Sequence, residues 1–404
     1  MNNILIRNVR VVDANQDIVK DVLISDGKII KIDENINIDN ITEEVKIDKN
    51  VESENINIEK INGSGYVLMP SFIDLHTHLR DPGLTHKEDL ETGQKAAFKG
   101  GFTVLCPMAN TKPACDNKET MEYILDKAKT LNLGDIKQVC AITKGLRGEE
   151  IIDIASMRKY TDLFSDDGYT LFNEEIMKEA LKLSKELDFK VLTHCQPEFE
   201  IVERDLKFLK EIGGNLHICH ISLEDTLKEI KKYKCEGYKF TCEVGPHHIF
   251  GYGLKYKVNP SFATEEDMKA LIQGIKDGHI DMIGTDHAPH TSDDKKKGAP
   301  GISNIEVAFQ MVNKVFKEND ISLRKLSEMM SANPAKLLKL NQGLVEEGLR
   351  ADLVLVDENI EGTIDITNFI SKGKNNPFDG QKVIGNVLLT IRDGKVVYRA
   401  EGDM

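Results

Sequence analysis

Short apolar runs of β-strand character recur between amphipathic, helix-like stretches from residue 70 onward. There are eight such runs: FIDLH, TVLCPM, KQVCAI, LFSD, KVLTHC, LHICHI, KFTCEV and DMIGTD. The stretches at 173–187 and 264–276 carry apolar residues at the 3.6-residue spacing of a helix with one buried face. Strands that alternate with helices form parallel βα units, and eight units suggest closure into a barrel. The pattern therefore predicts an α/β protein with a (β/α)8 TIM-like barrel over residues 67–341.

Both ends of the chain have a different pattern, which predicts short strands joined by tight turns. The strand-like runs and hairpin signals are residues 3–12, 18–32, 352–357 and 386–398, with turns at Asp26-Gly27 and Asp393-Gly394. We therefore expect residues 1–66 and 342–404 to form one small composite β-domain. Residues 33–62, a tract biased to Ile, Asn and Glu, are either an edge extension of that domain or a mobile loop.

Composition narrows the classes of protein to consider. The 404 residues carry a formal charge of −14, and no stripe of Lys and Arg with interleaved aromatic residues is present, so a nucleic-acid surface is not expected. The start of the chain lacks an uninterrupted apolar segment, and no later stretch approaches the roughly 20 apolar residues of a membrane span. We expect a cytoplasmic protein whose seven scattered cysteines are reduced core residues.

Polar side chains at the carboxyl ends of the eight runs indicate a metal site, because barrel enzymes build their sites from these strand ends. His76 and His78 are two residues apart and hence on one side of a strand. Further candidates end later runs: Asp167, His194, His220 and Asp286. A lone histidine is often a hydrogen-bonded structural residue, which is our interpretation of His86, His217 and His279. Six nitrogen and oxygen ligands that end successive strands instead indicate Zn²⁺.

The size of this ligand set indicates more than one metal ion. One catalytic zinc usually takes three protein ligands and keeps an open position, so six ligands are too many for it. Two dications a few ångströms apart repel strongly, and an anion besides hydroxide must lie between them. The set therefore predicts two zinc ions per chain with a bridging group, and a bridging hydroxide would be the nucleophile.

Landmark segments along nearly the whole chain resemble those of one known family. In order, they are DLHTHLRDPG, ETGQKAAFKGGFTVLCPMANTKP, AITKG, FSDDG, HCQ, HICHIS, EVGPHH, IDMIGTDHAPHT and SKGKNNPF. The H-x-H pair alone is typical of the amidohydrolase superfamily, whereas HLRDPG, FSDDG and TDHAPH together resemble the dihydroorotases, particularly the longer bacterial type. The resemblance implies a barrel flanked by a small β-domain from both termini. It also implies the reversible cyclisation of N-carbamoyl-L-aspartate to (S)-dihydroorotate in pyrimidine biosynthesis.

The resemblance further implies a role for each candidate ligand. The more buried zinc would be held by His76, His78 and Asp286. The more exposed zinc would be held by His194 and His220, with Asp167 and a hydroxide bridging the two ions. Asp286 would also be the catalytic residue that shuttles a proton from the hydroxide to the departing nitrogen.

The same resemblance implies a set of substrate-binding residues. Arg80, Asn110 and His290 resemble the family's binders of the substrate's α-carboxylate, and a planar guanidinium supplies paired donors for such a group. Asn110 could instead be a plain turn residue. Asn259 is a further candidate binder with the same alternative.

Departures from the family pattern concern the loops around the site. The stretch from His194 to His220 is shorter than usual, which could open the metal site or alter contacts between subunits. MANT replaces the usual MPNT, and loop 293–301 is shorter and lacks the usual aromatic residue before its last glycine. These departures bear on how the substrate is enclosed and leave the metal ligands unchanged.

Two other functions compete with this prediction. Hydantoinases, dihydropyrimidinases and allantoinases usually bridge their metals with a carboxylated lysine, whereas the fourth run here offers Asp167 and no lysine. An inactive homologue that serves only in assembly would have lost ligands, and every ligand is present here. Beyond its small-molecule substrate, we expect a homo-oligomer, in particular a dimer, and leave open an association with an aspartate carbamoyltransferase.

Overall fold

The computed structural model of the protein describes residues 3–37 and 58–401. Its strands are β1 (Asn3–Val12), β2 (Asp17–Ser25), β3 (Lys28–Asp33), β4 (Ile58–Asn62), β5 (Val67–Pro70), β6 (Phe72–Thr77), β7 (Phe102–Pro107), β8 (Asp135–Ile136), β9 (Leu163–Phe164), β10 (Lys190–Thr193), β11 (Leu216–Ile218), β12 (Thr241–Val244), β13 (Met282–Ile283), β14 (Leu353–Thr363), β15 (Lys382–Arg392) and β16 (Lys395–Arg399). Its helices are α1 (Leu90–Lys99), α2 (Lys118–Leu131), α3 (Ile154–Met157), α4 (Glu174–Leu187), α5 (Glu198–Ile212), α6 (Glu224–Cys235), α7 (Pro246–Phe250), α8 (Glu265–Lys276), α9 (Ser292–Lys296), α10 (Ala308–Glu318), α11 (Leu323–Ser327) and α12 (Asn333–Leu337).

Eight parallel strands, β6 to β13, form the barrel that the alternating pattern predicts. The strands β6, β7 and β8 pair in one sheet, and β9 to β13 pair in another. Parallel bridges join the two sheets at both seams, between Cys140 and Phe164 and between Thr77 and His287. The ring is therefore closed, and the carboxyl ends of the eight strands open on one mouth.

The inside of the barrel is a packed core. One buried cluster takes residues from seven of the eight runs: Leu75, Cys106, Met108, Val139, Leu163, Leu192, Cys219 and Met282. Leu337 and Leu338, at the end of α12, pack against the same cluster. The interior is thus filled rather than a pore, so the chemistry lies at the strand ends, as is usual for this architecture.

The two helices expected from their spacing are α4 and α8, and both begin at good capping residues. The Asn173 side chain accepts the first free N–H groups of α4, and Thr264 and Asp267 form a reciprocal capping box on α8. The buried positions of α4 recur at helical spacing: Ile176, Met177, Ala180, Leu181 and Ser184. These helices therefore bury one face and expose the other, as expected of an outer ring.

Both chain ends pair into one eight-stranded sheet, which confirms the predicted composite β-structure. The strand order is β16-β15-β14-β5-β1-β2-β3, and β4 also pairs with β1. The strand β5 pairs with the amino-terminal β1 and with the carboxy-terminal β14, so it joins the two ends. The last part of the Ile/Asn/Glu tract, β4, extends this sheet, while residues 38–57 of that tract lie outside the described residues. The domain limits at residues 67 and 341 stay a prediction.

Two tight turns meet where the terminal hairpins pack together. Asp26 and Gly27 have φ angles of 46° and 78°, and Asp393 and Gly394 have φ angles of 50° and 69°. Positive φ at both central residues is the geometry of a two-residue hairpin turn, so both predicted hairpins are confirmed. A Cβ atom on Gly27 would lie 2.6 Å from the Asp393 carboxylate, so the close approach also requires glycine.

The helices and the cysteines of the described residues bear on two expectations from composition. Over residues 3–37 and 58–401, no helix combines the length and apolarity needed to cross a bilayer. All seven cysteines are free of disulfides, and six of them are buried. Cys235, at the end of α6, is exposed, so the expectation of core cysteines holds for the other six.

Candidate metal centre and active site

The structure brings the six predicted metal ligands together at the mouth of the barrel. They come from β6 or from the residues just after β6, β9, β10, β11 and β13: His76, His78, Asp167, His194, His220 and Asp286. All six are buried. Side chains from five different strands therefore meet because the closed ring brings the strand ends to one face.

Asp167 lies at the centre of this cluster. Its Oδ1 atom is 3.3 Å from the Nε2 atoms of both His76 and His78. Its Oδ2 atom is 2.9 Å from Nδ1 of His194 and 3.9 Å from Nε2 of His220. One carboxylate oxygen thus faces each pair of imidazoles, which is the arrangement a carboxylate needs to bridge two cations.

Asp286 approaches the β6 histidines from the end of the neighbouring strand β13, which is bridged to β6 between Thr77 and His287. Its Oδ1 atom is 3.0 Å from Nε2 of His78 and 3.6 Å from Nε2 of His76. Burial would raise the pKa of this carboxyl, but the hydrogen bond with His78 and the charge of His76 hold the pKa below its ordinary value. Asp286 is therefore an ionised carboxylate at neutral pH.

Two buried polar atoms in the cluster show that these residues fit a cation. Nε2 of His76 and Oδ1 of Asp167 have no hydrogen-bond partner, although they are buried and only 3.3 Å apart. Burial lowers the pKa of His76, but the charges and hydrogen bonds of Asp167 and Cys219 together outweigh burial and raise the pKa well above its ordinary value. Buried polar groups are normally satisfied, so two unpaired polar atoms this close together suit a shared cation. Imidazole and carboxylate donors suit Zn²⁺.

Three residues of the site have strained backbone conformations. Arg80, His220 and Asp286 have φ angles of 60°, 34° and 46°, in the left-handed region that side chains other than glycine seldom adopt. Next to Asp286, the backbone N–H of Thr285 donates to the Asp74 carboxylate at 3.0 Å. Such strain persists only where the surroundings enforce it, and it is commonly found at functional sites.

The outer nitrogens of the two β6 histidines are held by neighbouring side chains. Nδ1 of His76 is 2.8 Å from Oε1 of Glu243, and Nδ1 of His78 is 2.9 Å from Oδ1 of Asn110. In this tautomer both rings direct Nε2 into the cluster. Asn110, a predicted substrate binder, therefore contacts a predicted metal ligand and lines the cavity.

The neighbouring aspartate, Asp166, has a different environment from Asp167. Its carboxylate accepts the backbone N–H groups of Ile142 and Thr143, at 2.8 and 3.0 Å, and the Thr143 hydroxyl. Asp166 thus fixes the end of the preceding strand run. Only Asp167 of this pair faces the histidines.

The predicted substrate binders surround a cavity of about 290 Å³ beside the ligand cluster. Arg80, Asn110, Asn259 and His290 line it together with Asp167 and Asp286. Nη2 of Arg80 is 3.2 Å from Nε2 of His290. The structure therefore places all four predicted binders on the wall next to the predicted ligands.

One charged side chain, Arg80, lies on this wall beside the neutral His290. Burial lowers the pKa of Arg80 to about 10, which leaves the guanidinium charged at neutral pH. Burial and the neighbouring Arg80 and Lys87 lower the pKa of His290 to about 3, so His290 is neutral. A buried guanidinium beside a neutral imidazole offers several donors to an anion.

Some residues that organise the site were missed by the sequence reasoning. Glu243 is the second-last residue of β12, in the EVGPHH segment, and the rule that polar residues near strand ends build barrel sites would have selected it. Nζ of Lys295 donates to three backbone carbonyls, two within loop 293–301 and the third that of Lys257, so it ties this loop to Lys257. The backbone N–H of His290 donates to Oδ1 of Asn375 at 2.8 Å. No local pattern marks the last two, because their partners are distant in sequence.

A sequence profile of the amidohydrolase family matches residues 67–397, so the chain belongs to this family. A dihydroorotase from Clostridium botulinum (strain Eklund 17B / Type B) is 42% identical to it over 98% of this chain and 99% of the relative. A dihydroorotase from Aquifex aeolicus (strain VF5) is 34% identical over 99% and 100% of the two chains. Among the amidohydrolases, the chain therefore belongs with the dihydroorotases.

Solved structures of similar fold include an L-hydantoinase (dihydropyrimidinase) from Arthrobacter aurescens. It superposes with a TM-score of 0.86 and covers 100% of this chain and 98% of its own. The sequence identity is 23%, so this likeness concerns the fold alone. The barrel and the terminal β-sheet are thus shared with this hydantoinase.

Proposed function

We propose that the protein is a dihydroorotase that binds two zinc ions and interconverts N-carbamoyl-L-aspartate and (S)-dihydroorotate. The observation that carries the proposal is a cationic wall, formed by the buried Arg80 guanidinium and the neutral His290 beside it, that shares one cavity with the ligand cluster. Arg80 and His290 line this cavity together with Asp167 and Asp286. Dihydroorotate combines a ring amide that can be opened with a carboxylate that such a wall can bind.

The cationic wall favours this substrate over other cyclic amides. Dihydrouracil, hydantoin and allantoin carry a ring amide but no carboxylate. Their binding would leave the buried Arg80 guanidinium without an anionic partner, which costs free energy. With its Oδ1 atom engaged by His78, Asn110 keeps its Nδ2 group to donate to the substrate.

The ligand chemistry supports a pair of zinc ions. We assign one ion to His76, His78 and Asp286, the other to His194 and His220, and the bridge to Asp167. Metal ions of this kind polarise an amide carbonyl and lower the pKa of water. No lysine occurs among the described residues that line the cavity, which favours an aspartate bridge over a carboxylated lysine.

Asp286 is the residue best placed to move the proton. In ring opening, the oxygen of water forms a bond to the ring amide carbon, and the bond from that carbon to nitrogen breaks. Asp286, ionised and facing the cavity, takes the proton of the water and passes it to the departing nitrogen. Closure follows the reverse path and consumes a proton, so acidic pH favours the cyclic product.

Metal analysis of the purified protein, together with hydrolysis of dihydroorotate, dihydrouracil, hydantoin and allantoin, tests the proposal. We expect about two zinc ions per chain and turnover of dihydroorotate that chelation abolishes and zinc restores. Preferred turnover of one of the other three amides would refute the substrate assignment. Bound zinc without turnover of any substrate would favour a role in assembly.

Subunit association is a separate part of the proposal. The family resemblance suggests a homodimer and leaves open a complex with an aspartate carbamoyltransferase. Light scattering of the protein alone, and again after mixing with that enzyme, measures both. A monomer that stays unchanged on mixing would exclude both associations under those conditions.

A further inference from the structure

A buried carboxylate, Glu243, lies directly behind the first histidine of the ligand cluster. It belongs to β12, and only 1% of its surface is exposed. Its Oε1 atom is 2.8 Å from Nδ1 of His76, and its Oε2 atom is 3.2 Å from Nε2 of His217. An ionised carboxylate only accepts hydrogen bonds, so both imidazoles donate to it.

His217 continues the hydrogen-bonded chain away from the metal centre. Because its Nε2–H donates to Glu243, its Nδ1 atom accepts from the Thr241 hydroxyl at 2.8 Å. Within the described part of the chain, the ion-pair partners of Glu243 are these two histidines, without a lysine or arginine. A buried anion is costly unless it is paired, so the arrangement suits a positive charge on the far side of His76.

The proton on Nδ1 determines which nitrogen of His76 can bind a metal. Neutral imidazole has one N–H group, and the Nδ1–H that donates to Glu243 leaves the lone pair on Nε2. Nε2 is the unpartnered atom that faces Asp167 at 3.3 Å and Asp286 at 3.6 Å. The hydrogen bond from Nδ1 to Glu243 therefore determines that the lone pair of His76 lies on Nε2, which faces the cluster.

We infer that Glu243 is the positioning residue of the metal centre, which fixes His76 in the Nδ1–H tautomer and strengthens its bond to the metal. His217 and Thr241 in turn hold the Glu243 carboxylate in place. A carboxylate behind a ligating histidine both orients the ring and raises its basicity. This inference rests on the metal centre of the proposed function.

An alternative role for Glu243 is direct ligation. His76, Cys219 and Glu243 offer ligand atoms within 4.8 Å of one another, as a three-residue metal group would. Both oxygens of Glu243 are already occupied by imidazole N–H groups, however. The geometry therefore favours support of His76 over a separate ion at this position.

Zinc affinity of a Glu243→Gln variant tests the inference. Glutamine keeps the size of the side chain but removes its charge and one of its two acceptors. We expect zinc affinity, measured by competition with a chelator, to fall by about 10- to 100-fold. The visible spectrum of the Co²⁺-loaded variant should also change, because the orientation of a ligand changes. The melting temperature of the metal-free protein checks folding.

Glu198→Gln is the matched control, because Glu198 is also a buried carboxylate but binds Ser222 and Leu223 instead of a histidine. Its zinc affinity should equal that of the wild type. Wild-type affinity and spectrum in Glu243→Gln, or an equal loss in Glu198→Gln, would overturn the inference. Failure of the wild-type protein to bind zinc would instead overturn the proposed metal centre, and this inference with it.

A second variant keeps the test decisive if Glu243→Gln does not fold. His217→Gln leaves the bond between His76 and Glu243 but removes the other imidazole that holds the carboxylate. We expect a several-fold loss of zinc affinity, smaller than that of Glu243→Gln. Unchanged affinity in a folded His217→Gln protein would then overturn the inference.

Discussion

The two halves of the ligand cluster are supported in different ways. In the β6 half, His76 and His78 each have the outer nitrogen held by a side chain, Glu243 or Asn110. In the outer half, His194 and His220 lie with their nitrogens 2.8 Å apart, and Nδ1 of His194 is 2.9 Å from Asp167. Among residues 3–37 and 58–401, neither Nε2 of His194 nor Nδ1 of His220 has a hydrogen-bond partner.

This difference shows how the protein prepares the site for its metals. The β6 half has its ring orientations set by the surrounding protein before any metal binds, and such preorganisation strengthens binding. The outer half is arranged mainly around Asp167 and the cations it would share. We therefore expect the β6 half to hold its metal more tightly, and the outer half to depend more on the bridge.

The largest expected effect concerns Asp286, whose ion-pair distances within the described part of the chain are to the β6 histidines, His76 and His78. Asp286→Asn should keep most of the metal but lose the proton shuttle, so the rate of dihydroorotate hydrolysis should fall by roughly 10²- to 10⁴-fold or more. Steady-state kinetics and metal analysis on the same preparation measure this. Near-normal activity with intact zinc would eliminate the role of Asp286.

The next prediction removes the bridge and separates the two halves directly. Asp167→Ala should lose metal first from the outer half, and by more than the roughly 10- to 100-fold that loss of a supporting residue costs. Zinc titration with a chelator measures both affinities. Asp166→Asn is the control, because Asp166 binds backbone N–H groups and faces no ligand. An active Asp167→Ala protein with two zinc ions would contradict the bridge.

A smaller effect is expected on the substrate wall, which lies outside both halves. Arg80→Lys keeps the positive charge but loses the planar pair of donors, so KM for dihydroorotate should rise by about tenfold. Metal content should not change. The exposed Arg147→Lys exchange is a matched control and should leave KM unaltered. If Arg80→Lys had a wild-type KM, the carboxylate would have to be recognised elsewhere.

The last prediction is that bicarbonate has no effect on zinc loading or activity. A carboxylated lysine needs carbon dioxide to form, whereas Asp167 can bridge two metals as it stands. Zinc loading and activity of the metal-depleted protein should therefore be the same with and without bicarbonate during reconstitution. Reconstitution that depends on bicarbonate would show that the outer half is bridged by another group.

Several of these side chains could be predicted because they follow strand runs. His76 and His78 are found by their spacing, and Asp286 by the apolar run before it, since both features are local in the sequence. Glu243 satisfied the same rule but was overlooked within the EVGPHH motif. Asn110 was predicted to bind substrate, and its contact with His78 became apparent only from the folded chain.

The sequence alone determines the eight strand runs, the capped helices, the two hairpins and the identity of the candidate ligands. These features depend on periodicity, on turn residues and on side chains at strand ends, which all act within a few residues. Only the tertiary structure decides which nitrogen of His76 faces the cluster, because Glu243 is 167 residues away and reaches His76 only in the closed barrel. The backbone before Asp286 is likewise held by Asp74, which accepts the N–H of Thr285 and lies 211 residues before it. Such contacts have no local signal, since they arise when distant strand ends are brought to one mouth.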